Sequence, residues 1–310
     1  TCGGRAASAS ALTMYCTHFA LREPPFGLTP DTAFAFAGTA HQEALNTLLI
    51  AAAGGEGFMK VTGEVGTGKT LLCRRFLSQI DDQTVTAYIP NPLLDSHGLL
   101  LALAEELRVD FDRDDDQHGL MKSLNHALLD HARAGKRVLV CLDEAQAMPL
   151  ETLESLRLLS NLETEKRKLL QVVLFGQPEL DQKLAHESVR QLQQRITFQY
   201  HLSPLSRREL EYYIEHRLRI AGYMGDRLFN TAALDALYAA SRGVPRLINV
   251  LAHKAMLVAY GNGNHYVSAA HVHKAAHDTP SASQVHSPLV RAGVLASALA
   301  AGAIYWYLHR

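Results

Sequence analysis

Residues Gly63–Thr70 read GEVGTGKT and match the phosphate-binding pattern G-x-x-x-x-G-K-[ST] at every fixed position. A short β-prone run precedes them at 58–62, and apolar residues at helical spacing follow them at 71–77. A strand, a glycine-rich loop and a helix form the arrangement in which this pattern binds phosphate. The feature therefore predicts an α/β fold with a nucleotide at the carboxyl end of a strand.

The residue types of this loop suit an anion. Glycines allow the backbone to wrap closely with its N–H groups pointing inward, and the helix that follows adds the positive end of its dipole. Lys69 is expected to reach the β- and γ-phosphates, and the Thr70 hydroxyl to bind Mg²⁺. A chance glycine-rich turn is the alternative, which the flanking strand and helix disfavour. The predicted nucleotide-binding residues are Gly63, Glu64, Val65, Gly66, Thr67, Gly68, Lys69, Thr70 and Leu71.

A second feature is an acidic pair at the end of an apolar run. Residues 138–142 are all apolar and predict a strand buried on both faces of a parallel sheet. Asp143 is then placed to hold Mg²⁺, and Glu144 to act as general base toward the attacking water. The pair could instead only cap the next helix, but ligands collect at the carboxyl ends of strands in open α/β sheets.

Composition narrows the class of protein. The chain has 310 residues and a formal net charge of −1, so no global positive field favours nucleic acid. Its four cysteines are too few and too scattered for a disulfide framework. No Cys/His spacing resembles a zinc site, despite 16 histidines. These observations favour a core enzyme whose cysteines are reduced and which has no zinc-type site.

The order of the elements predicts several segments. Residues 1–18 are expected to form a disordered extension. Strands that alternate with helices over 19–204 predict a parallel sheet between helical layers. Only helices are predicted from 205 to 278, at about 207–221, 231–242, 245–260 and 268–276, so this part is expected to be a small all-α lid domain.

The C-terminal residues predict a membrane anchor. Residues 279–288 are turn-rich and are expected to be a linker. Residues 289–310 then contain an apolar or small run, with Tyr305, Trp306 and Tyr307 as an interfacial aromatic cluster. The run 292–308 is slightly short for a hydrocarbon core of about 30 Å, but counting from Leu289, with Arg291 extending to the interface, gives 20 residues, which is long enough. A core helix packed on the lid is the alternative, but no polar face is present.

Further stretches carry a resemblance to a known family. As they stand here they are PFGLTPD (25–31), GEGFMKVTGEVGTGKTLLCR (55–74), LVCLDEAQ (139–146), LRLLSNLET (156–164), LFGQPEL (174–180), LQQRI (192–196) and SRGVPRLIN (241–249). Over about residues 15–278 the chain resembles the AAA+ P-loop ATPases. More narrowly, it resembles the ExeA-type general secretion ATPases, including those of mannose-sensitive haemagglutinin pilus biogenesis.

The resemblance implies three further catalytic roles beside those of Lys69 and Glu144. Gln177 would sense the γ-phosphate, or would be only a turn residue. Arg246 would reach the γ-phosphate and couple lid closure to nucleotide state, or would be a surface arginine. Arg195 would be a finger inserted into a neighbouring subunit's site, or would form an ion pair near the sheet edge, and Arg190 competes for the finger role.

Three functions follow from these expectations. The first is an ATP-hydrolysing motor or switch for assembly of a type IV (MSHA-type) pilus or secretion machine. It implies ATP and Mg²⁺, a homo-oligomer such as a ring, envelope assembly proteins as partners, and a cytoplasmic ATPase domain anchored in the inner membrane. The second is a DNA-handling ATPase of the transposition-helper or initiator kind, which the neutral charge disfavours. The third is a nucleotide-gated scaffold, which an intact Glu144 disfavours.

Overall fold

The structure is a computed structural model, and the residues it describes are 15–27, 34, 36, 38–112, 116–161, 163–164 and 167–283. These residues form two compact units. The sheet unit contains residues 27–220 and 244–246, and the helical unit contains residues 15–26, 221–243 and 247–283. The predicted anchor at 289–310 lies outside the described residues, as do residues 1–14 and 284–288. Within the described part, no helix has the length and apolar character needed to span a membrane.

A parallel sheet forms the centre of the sheet unit. Its strands are β1 (Phe58–Gly63), β2 (Thr84–Ile89), β3 (Arg137–Leu142), β6 (Leu170–Gly176) and β7 (Ile196–Leu202), in the order β2-β3-β6-β1-β7. All the pairings in this sheet are parallel. The short strands β4 (Glu163–Thr164) and β5 (Arg167–Lys168) form a separate antiparallel pair. The predicted α/β class with a parallel sheet is confirmed.

Helices cover both faces of this sheet. They are α1 (Thr39–Ala53), α2 (Lys69–Leu77), α3 (Ser96–Glu106), α4 (Gln117–Arg133), α5 (Leu150–Leu159), α6 (Glu179–Leu184), α7 (Arg190–Arg195) and α8 (Arg207–Ile220). Because successive side chains of a strand point to opposite faces, Phe58 and Val140 pack under α3, α4 and α5. Their neighbours Met59 and Cys141 pack under α1 and α2. Each central strand therefore packs apolar side chains on both faces, although β1 also buries Lys60 and Thr62 and β6 buries Gln171.

Aspartates determine where two of the helices begin. The Asp95 carboxylate accepts a hydrogen bond from the Gly98 N–H at 2.7 Å, and the Asp116 carboxylate accepts one from the Gly119 N–H at 2.8 Å. Such a cap satisfies a backbone donor that the helix itself leaves unpaired. Helix α4 consequently begins at Gln117, three residues before Leu120, the first buried apolar residue of the helix.

Helix α8 belongs to the sheet unit, whereas the sequence predicts that residues 205–220 are part of the helical lid domain. The Glu209 carboxylate accepts a hydrogen bond from the Thr39 N–H at 3.0 Å, at the start of α1. Phe36 packs edge-on against Tyr213, with ring centroids 5.6 Å apart. The first residue of α1 and the Phe36 side chain before it therefore contact α8, and no local pattern in 205–220 indicates these contacts.

The helical unit contains α9 (Thr231–Ser241), most of α10 (Pro245–Gly261), α11 (Ala269–His277) and α12 (Pro280–Ser283). Its packing begins earlier in the chain than predicted. Residues 15–18 are helical, and Tyr15 is fully buried. The Tyr15 hydroxyl donates to Met256 Sδ at 3.2 Å, and its ring contacts those of Phe19 and His253. The expected extension of residues 1–18 was therefore wrong for residues 15–18, because this tyrosine is anchored by a helix more than 200 residues away.

Candidate active site

The glycine-rich loop lies at the carboxyl edge of the sheet, between β1 and α2. Gly66 and Gly68 have φ values of 83° and 98°, in the left-handed region that favours glycine. A Cβ atom at Gly66 would lie 2.6 Å from the Arg246 Cβ, and one at Gly68 would lie 2.9 Å from His41 Nε2. Side chains at both positions are therefore excluded by strain and by contact, and the loop backbone stays open to a bound anion.

Lys69 is a buried cation at the mouth of this loop. The residue is only 5% exposed. Its Nζ donates to the carbonyls of Gly63 at 2.8 Å and Glu64 at 3.0 Å. Burial lowers the pKa of Lys69, while the carboxylates of Glu144 and Asp143 act in the opposite direction. A buried ammonium with these partners is suited to bind the phosphate of a nucleotide.

The rest of the loop is more open. Glu64 and Val65 are exposed, and Gly66, Thr70 and Leu71 are partly buried. Thr67 is fully buried, and its hydroxyl donates to the Glu64 carbonyl at 2.8 Å. The Thr67 carbonyl contacts His41 Nε2 at 2.9 Å. This histidine was not predicted, because nothing in the sequence of α1 connects it with the loop.

Asp143 joins the loop to the acidic pair. The Thr70 hydroxyl donates to Asp143 Oδ2 at 2.6 Å, and the Tyr88 hydroxyl donates to the same atom at 3.4 Å. Burial raises the pKa of Asp143. The pKa of Tyr88 is raised to about 12, mainly by burial and secondly by the negative charge of Asp143. A hydroxyl and a carboxylate oxygen that converge in this way are the ligands Mg²⁺ prefers, so Thr70 and Asp143 fit that ion.

Glu144 lies beside Asp143 and contacts two amides. Its backbone has a φ of 54°, which is rare for a residue with a side chain. Gln146 Nε2 donates to Glu144 Oε2 at 2.5 Å, and Gln177 Nε2 donates to the same oxygen at 3.1 Å. The structure therefore brings Gln177, predicted from the resemblance, to the predicted general base. Gln146 lies within the DEAQ stretch but was not predicted.

Arg246 also lies at the loop. Its backbone N–H donates to the Gly66 carbonyl at 3.2 Å, and its side chain belongs to an exposed residue. The side chain is therefore next to the predicted phosphate position, at the start of α10.

Arg195 lies at the amino ends of the strands, opposite the glycine-rich loop. It immediately precedes β7, and the first residue of β7, Ile196, pairs with Phe58 at the start of β1. The loop begins at Gly63, five residues further along β1, or about 17 Å at roughly 3.3 Å per residue. The Arg195 guanidinium donates to Ser160 Oγ at 3.2 Å and to the Arg157 carbonyl at 3.4 Å. It is therefore not part of the site in its own chain.

Arg190, the other finger candidate, is an exposed residue at the first position of α7. It lies five residues before Arg195 on this six-residue helix, or about 1.4 turns. Because Arg195 lies far from the loop of its own chain, contact of Arg195 with a nucleotide would require a second copy.

Comparison with known proteins agrees with this geometry. Residues 52–184 match the family described as "AAA domain". This match covers less than half of the 310 residues. Over 265 residues the chain is 43% identical to "General secretion pathway protein A" of Aeromonas hydrophila, and the alignment covers 86% of this chain and 48% of that protein. The chain therefore spans about half the length of this relative, and the identity supports the resemblance to the ExeA-type family.

Solved structures show the same fold. The Aeropyrum pernix ORC2 protein in its ADPNP–ADP complexes aligns with a TM-score of 0.55 and 19% identity, over 77% of this chain and 66% of that one. The Aeropyrum pernix ORC1 protein in complex with DNA aligns with a TM-score of 0.58 and 19% identity, over 81% and 68%. At these identities the likeness concerns the fold alone.

Proposed function

We propose that this protein binds and hydrolyses ATP at the site between the glycine-rich loop and the acidic pair. The observation that carries the proposal is the 2.6 Å contact between Thr70 and Asp143, which joins the two predicted motifs into one site beside the buried Lys69. The relation to general secretion pathway protein A supports nucleotide hydrolysis in general.

The roles of the residues follow from their chemistry. Lys69 and the inward N–H groups of the loop bind the β- and γ-phosphates. Thr70 and Asp143 hold Mg²⁺, which neutralises phosphate charge when bound. Glu144 accepts a proton from the water that attacks the γ-phosphate, and Gln177 orients this water. Arg246 binds the γ-phosphate from the other side of the loop.

Two variants separate binding from turnover. Lys69→Ala should lose most of its ATP affinity, because the buried cation is gone. Glu144→Gln should bind ATP as the wild type does but lose about 10²–10⁴-fold in turnover, the usual contribution of a general base. Nucleotide affinity and phosphate release are measured on both. Glu151→Gln, at an exposed glutamate of α5, is the matched control. Equal loss of affinity in both variants would show that Glu144 is not the base.

The cellular role that we propose is that of a motor or switch in assembly of a secretion machine or an MSHA-type pilus. It is supported by the 43% identity to general secretion pathway protein A. The finer assignment rests only on the sequence stretches that resemble the pilus biogenesis protein MshM. Glu144→Gln protein, trapped on ATP, should retain envelope assembly proteins in a pull-down. Lys69→Ala protein should not retain them. Identical proteins captured by both variants would argue against a nucleotide-dependent role in assembly.

A DNA-handling function is the second candidate, supported by the fold shared with ORC proteins, one of them in complex with DNA. The formal net charge of −1 opposes it. Duplex DNA should show no mobility shift with this protein at 50 mM salt. A shift that weakens steeply as salt rises would favour this candidate, because phosphate contacts release counterions.

A further inference from the structure

The candidate base Glu144 is held on one side only. Both amide donors, from Gln146 and Gln177, reach the same carboxylate oxygen, Oε2. In the part of the chain that the structure describes, Oε1 accepts no hydrogen bond. The two oxygens of this carboxylate are therefore unequal before any substrate binds. A carboxylate oxygen that already accepts hydrogen bonds from two N–H donors is a weaker proton acceptor than an oxygen that accepts none.

The orientation of the Gln146 amide follows from its two neighbours. Its Oε1 accepts a hydrogen bond from the Gln177 backbone N–H at 3.0 Å, while its Nε2 faces Glu144. A backbone N–H can only donate and a carboxylate can only accept, so the reverse orientation would leave both contacts unfavourable. Gln146 thus bridges Glu144 and the end of β6.

The turn that carries Gln146 is itself fixed. Lys183 Nζ donates to the Gln146 carbonyl at 2.6 Å and to the Met148 carbonyl at 2.5 Å. Lys183 belongs to α6, which begins directly after Gln177 and Pro178. The short helix after the sensor position therefore holds the turn after the acidic pair. This connection matters because Glu144 has a left-handed backbone, which is strained and persists only where neighbours enforce it.

We propose that Gln146 is a positioning residue for hydrolysis. It engages Oε2 of Glu144 together with Gln177, so that Oε1 is the oxygen that accepts the proton of the attacking water. This inference rests on the proposed function, in which Glu144 is the base. Gln146 does not contact nucleotide in this arrangement, and it acts through Glu144 and through the backbone of Gln177.

Two substitutions, compared with each other, distinguish the two contacts of Gln146. Gln146→Ala removes both contacts. Gln146→Glu keeps an oxygen for the Gln177 N–H but replaces the donor to Glu144 with a second negative charge. We expect turnover at saturating ATP to fall about tenfold in Gln146→Ala, a part of the about 10²–10⁴-fold that a base contributes, and to fall at least as far in Gln146→Glu. The Kd for ATP and the Tm should stay close to wild type. Gln79→Ala, at an exposed glutamine at the end of α2, is the control.

A double variant distinguishes positioning from a general structural effect. In the Glu144→Gln background, Gln146→Ala should cause no further loss of turnover, because the group it positions is already gone. A further loss in that background would overturn the inference, as would wild-type turnover in both Gln146 variants while Glu144→Gln is inactive. Turnover retained by Glu144→Gln itself would instead contradict the proposed function.

Discussion

Two opposite charges are buried side by side at the loop, and each is held there at a cost. Lys69 is 5% exposed and Asp143 is 2% exposed. Burial lowers the pKa of the lysine and raises that of the aspartate, so both groups favour their neutral forms relative to water. Sites that bind charged substrates commonly retain such groups at the expense of stability. The charge pair is therefore expected to serve ATP and Mg²⁺ rather than the fold.

The first residue-scale prediction concerns pH. Asp143→Asn removes the burial cost of the ionised carboxylate, so its Tm should exceed that of the wild type at pH 7.5, by about 2–4 °C for each kcal/mol gained. A raised pKa means that the wild type recovers stability as Asp143 becomes protonated. The difference in Tm should therefore shrink as pH falls through the raised value toward the ordinary 3.8. Calorimetry at several pH values measures this difference.

Asp82→Asn, at an exposed aspartate, should show no such trend. A Tm difference for Asp143→Asn that is constant with pH would mean that ionisation of this carboxylate is not the cause.

The second residue-scale prediction concerns Gly66. Alanine there would have to adopt a φ of 83° and would place its Cβ 2.6 Å from the Arg246 Cβ. We expect Gly66→Ala to lower the Tm and to weaken ATP binding at least tenfold, because the loop must shift. Gly135→Ala, at a surface glycine with φ of 75° and open space around its Cβ, is the control for backbone strain alone. Normal ATP affinity in Gly66→Ala would show that contact with Arg246 does not shape the loop.

At the scale of elements, the parallel sheet separates Arg195 from the residues of the predicted site. The loop, the acidic pair and Gln177 lie at the carboxyl ends of the strands, whereas Arg195 lies at the amino ends. Parallel strands place all the carboxyl ends together, which is why distant motifs meet in one site. The same rule keeps Arg195 away from that site in its own chain. A catalytic role for Arg195 therefore requires a neighbouring copy.

The element-scale prediction tests that requirement. Specific ATPase activity should rise with protein concentration, and Arg195→Ala should bind ATP but hydrolyse it poorly. A finger contributes about 10³–10⁵-fold where it has been measured. Mixing inactive Arg195→Ala with inactive Lys69→Ala should restore activity, because the intact site of the first can receive the arginine of the second.

Arg133→Ala, at an arginine whose side chain is 76% exposed, is the control. Failure of the mixture to recover activity, together with concentration-independent turnover in the wild type, would leave Arg195 as a residue that only supports the end of α5 through Ser160. Repeating the mixture with Arg190→Ala identifies which of the two arginines acts.

At the scale of the whole molecule, the sequence predicts a further segment beyond the described residues. We propose that residues 289–310 anchor the protein in the inner membrane, with the AAA domain in the cytoplasm. The apolar or small run at 292–308 and the aromatic cluster at 305–307 support this proposal. The 310-residue protein should then need detergent for extraction, and a truncated protein that ends at Pro288 should be soluble. Release of the longer protein by carbonate washing would contradict the anchor.

Local patterns determined the elements that form the site. The β-prone run before Gly63 and the apolar run before Asp143 predicted β1 and β3, and the pattern around Lys69 predicted the start of α2. These signals succeed because a buried parallel strand must be apolar on both faces and a phosphate loop must contain glycine at fixed places. The match of residues 52–184 to the family described as "AAA domain" agrees with the class of protein that these motifs indicate.

Contacts between distant residues decided the remainder. His41 meets Thr67, Gln146 meets the Gln177 backbone, and Tyr15 meets Met256, and none of these pairs shares a local pattern. Polar side chains such as His and Gln satisfy their hydrogen bonds with whichever partner the packing brings near, so their roles depend on tertiary structure. The sequence by itself therefore determined the fold class and the phosphate loop. Only the tertiary structure decided that Glu144 is held by two amides, because strand order brings β3 and β6 side by side.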